Sequence, residues 1–172
     1  PGNLLHQVFE TAAFSDDRRW MAVIDEARQQ HLPRRAAQFA PMLYDMLQQT
    51  FNLPLTVNGH TFRLAEVAYD RRIHEFEFDF PVPLYNPAAL NNLSDASIDV
   101  RVSWDKPLEG IVNGKLDLFF GLGDKYYILD WKSNYLGDTL AYYSPPALSR
   151  AMNVNNYHLQ YLLSTLALRH YP

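Results

Sequence analysis

Two neighbouring runs decide the fold: Gly114-Lys115-Leu116-Asp117-Leu118-Phe119-Phe120 and, after a short turn, Tyr126-Tyr127-Ile128-Leu129-Asp130-Trp131-Lys132-Ser133-Asn134. Each is apolar and of strand length, and Gly121, Gly123 and Asp124 between them supply turn chemistry, so the pair is predicted to be a β-hairpin. Each run also carries one carboxylate among apolar neighbours. Such a group is costly to desolvate unless a cation or several donors compensate it, so Asp117 and Asp130 demand partners. With the loop at 122–125, the antiparallel register sets Asp117 directly across from Asp130. Lys132, two residues on, shares the Asp130 face because strand side chains alternate with period two.

Two opposed carboxylates repel, and a hard divalent cation such as Mg²⁺ relieves the repulsion because it prefers oxygen ligands and keeps several waters. A metal lowers the pKa of a bound water, and a neighbouring lysine orients that water or stabilises charge building at phosphorus. Asp, a gap, then Asp-x-Lys therefore fits phosphodiester hydrolysis. Asp-x-Lys alone is common by chance, and by itself reads as a same-face ion pair on a half-exposed sheet. The Gly-x-x-Asp strand preceding it at hairpin distance turns the balance toward a hydrolytic site.

Working outward, residues 4–12, 20–30 and 36–49 have helical patterning, with Pro41 marking a start or a kink. Strands are expected near 62–68 and 72–81. In the second of these His74, Phe76, Phe78 and Phe80 alternate with Ile73, Glu75, Glu77 and Asp79, predicting aromatics inward and acids outward. Residues 83–109, rich in Pro and Asn, read as a long connection with little regular structure, an insertion. Pro145-Pro146 opens a helix, and a last one covers 155–170. The fold class expected is α/β: a central mixed β-sheet, with strands near 62–68, 72–81, 110–120 and 126–132, flanked by helices from both ends of the chain.

At 172 residues the chain is read as one domain, 1–172. It has no cysteine, so thiolate metal sites and disulfides are excluded, which suits a reducing cytoplasm. No apolar run approaches the roughly 18 residues that span a membrane, and no signal peptide is recognisable. There is no Gly-x-x-x-x-Gly-Lys-Ser/Thr loop, so ATP hydrolysis does not reside here. The net charge of −4 argues mildly against a free-standing DNA binder. The local basic pairs are Arg18-Arg19, Arg34-Arg35 and Arg71-Arg72, each more often a solvated face than a nucleic-acid contact.

These residues resemble the PD-(D/E)XK nucleases, and within them the RecB-like nuclease domains at the C-terminal end of the beta subunit of exodeoxyribonuclease V. The hairpin, continued by Tyr135-Leu136-Gly137, is similar to the two catalytic strands. Tyr157-His158-Leu159-Gln160-Tyr161 followed by Thr165-Leu166-Ala167-Leu168 resembles the helix with the Gln-x-x-x-Tyr signature, and Gly2-Asn3-Leu4-Leu5-His6 resembles the Gly-x-x-x-His helix. The resemblance implies a restriction-endonuclease-like core in which His6, Asp117, Asp130 and the Trp131 carbonyl hold Mg²⁺, with Mn²⁺ or Ca²⁺ as substitutes in binding. It makes Lys132 the catalytic lysine and Gln160 a support residue. An acid from the 72–81 strand often joins the site in this family, and Glu77 is the candidate.

One position departs from the pattern: Ser164 stands where the signature tyrosine belongs, four residues after Gln160. Tyr157, three residues before Gln160, shares its helical stripe and is the expected replacement, with Tyr161 behind it. The function implied is metal-dependent hydrolysis of DNA in recombination and double-strand-break repair. The chain is expected to be a fragment of a longer helicase-nuclease polypeptide with RecC-like and RecD-like partner subunits. The alternative is a catalytically decayed, nuclease-like DNA-binding module, favoured by Ser164 and opposed by retention of His6, Asp117, Asp130 and Lys132 together. A stand-alone restriction-type endonuclease is a third, weaker reading.

Overall fold

A computed structural model describes residues 2–32, 37–94, 98–103 and 106–170; Arg34-Arg35 and the expected helix start at 36 lie outside them. The elements are α1 (Gly2–Thr11), α2 (Trp20–His31), α3 (Ala40–Asn52), β1 (Leu55–Val57), β2 (His60–Phe62), β3 (Arg72–Tyr85), β4 (Leu108–Leu122), β5 (Lys125–Leu129), α4 (Pro145–Val154) and α5 (Tyr157–His170). The class is α/β, as read from the sequence. One sheet pairs β1 with β2, and the other has the order β3-β4-β5. Both described pairings, β1 with β2 and β4 with β5, are antiparallel.

The chain divides into two compact units, Pro1–Phe76 with Leu116–Ser133, and Glu77–Lys115 with Asn134–Pro172. In the first, α1, α2 and α3 each present an apolar stripe at three- and four-residue spacing: Leu4, Val8 and Phe9, then Trp20, Val23, Ile24 and Ala27, then Ala40, Leu43, Leu47 and Phe51. Pro41 falls in the first turn of α3, where its missing N–H costs no hydrogen bond. The stripes close on one core with Phe62, Leu64, Val67, Leu118 and Phe120. Phe51 is its hub, stacked on Phe14 at 4.4 Å and meeting Trp20 and Phe9 edge-on at 5.5 and 5.9 Å.

Two details of this unit differ from the sequence expectation. Asn58 and Gly59 adopt φ of 50° and 78°, the two left-handed residues of a type I′ turn, and join β1 to β2 as a hairpin not anticipated there. The strand expected at 62–68 ends at Phe62, and Leu64–Glu66 is a 3₁₀ turn. Leu64 and Val67, both buried, lie three apart, a spacing that helical turns and not strands bring to one side.

The β4–β5 hairpin takes the expected register, from Leu118↔Leu129 to Leu122↔Lys125. Gly123, at φ +62°, leads its two-residue turn. β5 stops at Leu129, short of the expected 132, so strand alternation does not place Lys132; continuing the ladder by one pair sets Asp117 opposite Asp130, just beyond the end of β5.

In the second unit, Phe78, Phe80, Val100 and Ala167 are buried apolar side chains. The connection 83–109 is more ordered than expected. It contains the end of β3 and a 3₁₀ segment, Pro87–Leu93, capped by Asn86. The Asn91 side chain accepts from Val102 N at 2.7 Å and donates to its carbonyl at 3.0 Å, while Asn156 bonds both backbone groups of Arg101. An apolar groove of about 580 Å³ runs between β3, β4 and α5, lined by Phe80, Val82, Pro87, Ile111, Leu159 and Leu163 among others.

Candidate metal and catalytic centre

α1, β3 and β4 each deliver one ligand-bearing side chain to the same place in the first unit. His6 stands on α1 at the border of the buried stripe, and its Nδ1 lies 3.3 Å from Asp117 Oδ1. Glu75 completes the group: one ligand atom each from His6, Glu75 and Asp117 lie within 4.8 Å of one another. Glu75 has φ of +51°, a left-handed conformation in the middle of an extended strand. A non-glycine residue there is strained, and such strain persists where surrounding structure over-determines it. The alternation of sequence treats Glu75, Glu77 and Asp79 alike. The structure leaves Glu75 half-buried in the cluster, while Glu77, the residue selected from sequence, is exposed and is not among the three.

Asp117 is buried, and burial is the main cause that pushes its carboxyl pKa above the usual range; the charges of Asp130 and Glu75 push the same way. The Trp131 N–H, donated to Asp117 Oδ2 at 2.7 Å, and His6 act against this without cancelling it. A half-compensated buried carboxylate beside a second acid and an imidazole is the environment a divalent cation relieves. The donor set of two carboxylates and one imidazole fits a hard, oxygen-preferring metal.

Asp130 turns to Lys132, whose ammonium pairs with its Oδ2. Trp131 anchors this segment from below, because its ring stacks on Phe9 at 4.1 Å with planes 12° apart. Phe9 is one turn along α1 from His6, so a single helix both supplies the imidazole and clamps the Asp-x-Lys run. The two strand acids thus have different partners: Asp117 sits with His6 and Glu75, Asp130 with Lys132.

The remaining expected residues lie in the second unit. The Tyr157 hydroxyl donates to Asn134 Oδ1 at 2.8 Å. Gln160 is exposed. Ser164 is buried, and its hydroxyl turns back onto the Gln160 carbonyl at 2.9 Å, closing within its own helix. Of the basic pairs, Arg18 clasps the Asp16 carboxylate, and the Arg72 guanidinium lies 3.9 Å over the Phe14 ring. Both contacts are structural.

Comparison with known proteins places the chain. It is 35% identical over 178 residues, 99% of its length, to the RecBCD enzyme subunit RecB of Haemophilus influenzae, and 31% identical over 180 residues to that of Escherichia coli (strain K12). Over its length the chain is a homologue of RecB. The RecB subunit of Mycobacterium tuberculosis (strain ATCC 25618 / H37Rv) is 28% identical over 206 residues. The chain spans 14% of the first two RecB proteins and 18% of the third. No family model matches it. The RecB-like resemblance carried by three short motifs thus extends across the whole chain. No helix among the described residues is long and apolar enough to cross a membrane.

Proposed function

We propose that the chain is a metal-dependent DNA nuclease, the nuclease domain of a RecB-like subunit, and that it hydrolyses phosphodiester bonds in double-strand-break recombination and repair. The observation that carries this reading is the convergence of His6, Glu75 and Asp117 beside the Asp130–Lys132 pair, in a homologue of RecB. Mg²⁺ is the metal of choice, with Mn²⁺ or Ca²⁺ able to substitute in binding. His6, Asp117, Asp130 and the Trp131 carbonyl would hold it, with Glu75 the strand acid in place of Glu77. When bound, the metal supplies a water of lowered pKa and neutralises phosphoryl charge.

The chain's own groups do the rest. Asp117 would be held in its ionised form by a cation at this place, since a nearby cation favours the form that burial opposes. Lys132, held by Asp130, offers an ammonium that orients the attacking water and offsets charge building on the phosphoryl oxygens. Trp131, stacked on Phe9, fixes the backbone from which Lys132 projects. The same reading extends to exonuclease action, ATP dependence, RecC-like and RecD-like partners and a cytoplasmic setting as properties of a larger assembly, and the similarity to RecB supports it.

The alternative, a decayed module that binds DNA without cutting it, draws on Ser164, whose hydroxyl is committed to its own helix. One assay separates the two: Mg²⁺-dependent cleavage of a labelled single-stranded oligonucleotide, with Asp130→Ala as control. Cleavage by the unaltered chain that the control lacks supports the nuclease. Metal-induced thermal stabilisation with no cleavage supports the decayed module.

A further inference from the structure

The β4–β5 hairpin has two faces, and only one of them is spent on the core. Leu118, Phe120, Leu122, Tyr127 and Leu129 join the cluster around Phe51. By strand alternation Asp117, Phe119 and Gly121 point the other way, and the register puts Ile128 opposite Phe119 and Tyr126 opposite Gly121. Gly121 offers no side chain to the residue across from it, so the Tyr126 ring leans diagonally onto Phe119, with centroids 5.6 Å apart and planes 13° from parallel. The Arg71 guanidinium takes the same hollow: a Cβ on Gly121 would lie 2.9 Å from its Nη2 and 3.3 Å from Tyr126 Cε1. Tyr126 remains 69% exposed, so a ring stacked on one side is open on the other, beside a cation. These residues belong with Asp117 to the first unit, and Phe119 follows Asp117 by two positions, about 7 Å along the strand.

We propose that this face seats an unpaired base of single-stranded DNA beside the candidate metal centre: the base stacks on the open side of Tyr126, backed by Phe119, and the Arg71 guanidinium pairs with the adjoining phosphate. A base inside a duplex already spends both of its faces on neighbours, so a flat exposed ring recognises a base that has been unstacked. A planar cation at the edge of that ring matches the phosphate that travels with the base. Asp117 projects from the same face of the same strand, which puts the seat within a nucleotide's reach of the acidic cluster. The role in presenting substrate rests on the nuclease reading; the stacking of a base does not.

The test is fluorescence anisotropy with a labelled oligothymidylate, Ca²⁺ replacing Mg²⁺ so that the probe stays intact, beside an abasic strand of equal length and a duplex. Tyr126→Ala should weaken oligothymidylate binding about tenfold, and Tyr126→Phe, which keeps the ring, by less than about twofold. Neither should change the affinity for the abasic strand, which has the phosphates and no base. Arg71→Ala should weaken both strands and lower the slope of log affinity against log salt by about 0.7. All three variants should melt with the unaltered chain, since both side chains are exposed. In Mg²⁺ the loss in Tyr126→Ala should fall in KM, with kcat within about twofold. Unchanged oligothymidylate affinity in Tyr126→Ala, an equal loss for the abasic strand, or a duplex bound more tightly than the single strand would overturn the inference. A chain that binds oligothymidylate through Tyr126 yet cleaves nothing in Mg²⁺ would count against the nuclease reading and leave the base seat standing.

Discussion

The two units solve the same problem differently. The first buries three helical stripes and the hairpin face in one cluster around Phe51, closed enough that Val8, Ile24, Ala27, Leu47, Phe51 and Leu118 have no measurable exposure. The second buries far less among the described residues. No side chain of α4 is buried, and Ile111 and Leu84, each 70% exposed, stand on its strands. All of His6, Glu75, Asp117, Asp130 and Lys132 belong to the first unit. A cluster that holds opposed charges at close range sits on the unit whose packing can bear the cost.

The largest test of this contrast is chemical. Lys132→Ala should reduce single-turnover cleavage on the order of a thousandfold while calorimetric Mn²⁺ binding persists, since the lysine acts on charge and not as a ligand. Asp130→Ala should lose both. Metal binding abolished by the lysine change alone would mean that its role is structural.

Next comes the core itself. Phe51→Ala should cost about 3–5 kcal/mol by denaturant titration, because an emptied aromatic position in a close-packed cluster cannot collapse. Gly114→Ala probes the second unit, where an added methyl would lie 2.4 Å from the Phe78 ring. If that unit yields as its sparse burial suggests, the cost is about 1 kcal/mol; about 3 kcal/mol would show it to be as tightly packed as the first.

A smaller effect measures what the site costs the unit that carries it. Burial raises the Asp117 pKa, so the folded chain keeps that proton to higher pH than the unfolded chain does. The stability this contributes is complete below the ordinary carboxylate value of 3.8 and is lost as pH rises through the raised value. Near neutral pH and without metal, Asp117→Asn should therefore raise the unfolding midpoint by roughly 2–4 °C while abolishing the further rise that Mg²⁺ produces. A lowered midpoint at pH 7 would show that the Trp131 hydrogen bond outweighs desolvation. Smallest of all, Ile111→Ser on the exposed strand should change stability by less than about 0.5 kcal/mol.

What sequence could reveal follows from how local each signal is. The Gly123-Asp124 turn pins the β4–β5 register, so Asp117 opposite Asp130 was readable, as were three helices whose stripes repeat cleanly. Asn58-Gly59 was an equally local signal for β1–β2, overshadowed by the longer alternating row that follows. Glu75 was not readable. Period two makes it the equal of Glu77 and Asp79, and only a left-handed backbone in mid-strand, imposed by tertiary packing, singles it out. The Ser164 hydroxyl is likewise silent in sequence, because its partner is a main-chain carbonyl of the same helix.

The stack of Phe9 on Trp131 also sets an order of events during translation. Within this stretch α1 emerges well before the β4–β5 hairpin and can pair with α2 at once, yet both the stack and the His6–Asp117 approach wait for that hairpin to be made. A growing chain therefore carries the imidazole long before it carries a centre. A ribosome that stalls anywhere before Lys132 releases a product that lacks one member of the cluster, and His6 meets Asp117 only once the hairpin has closed on α1.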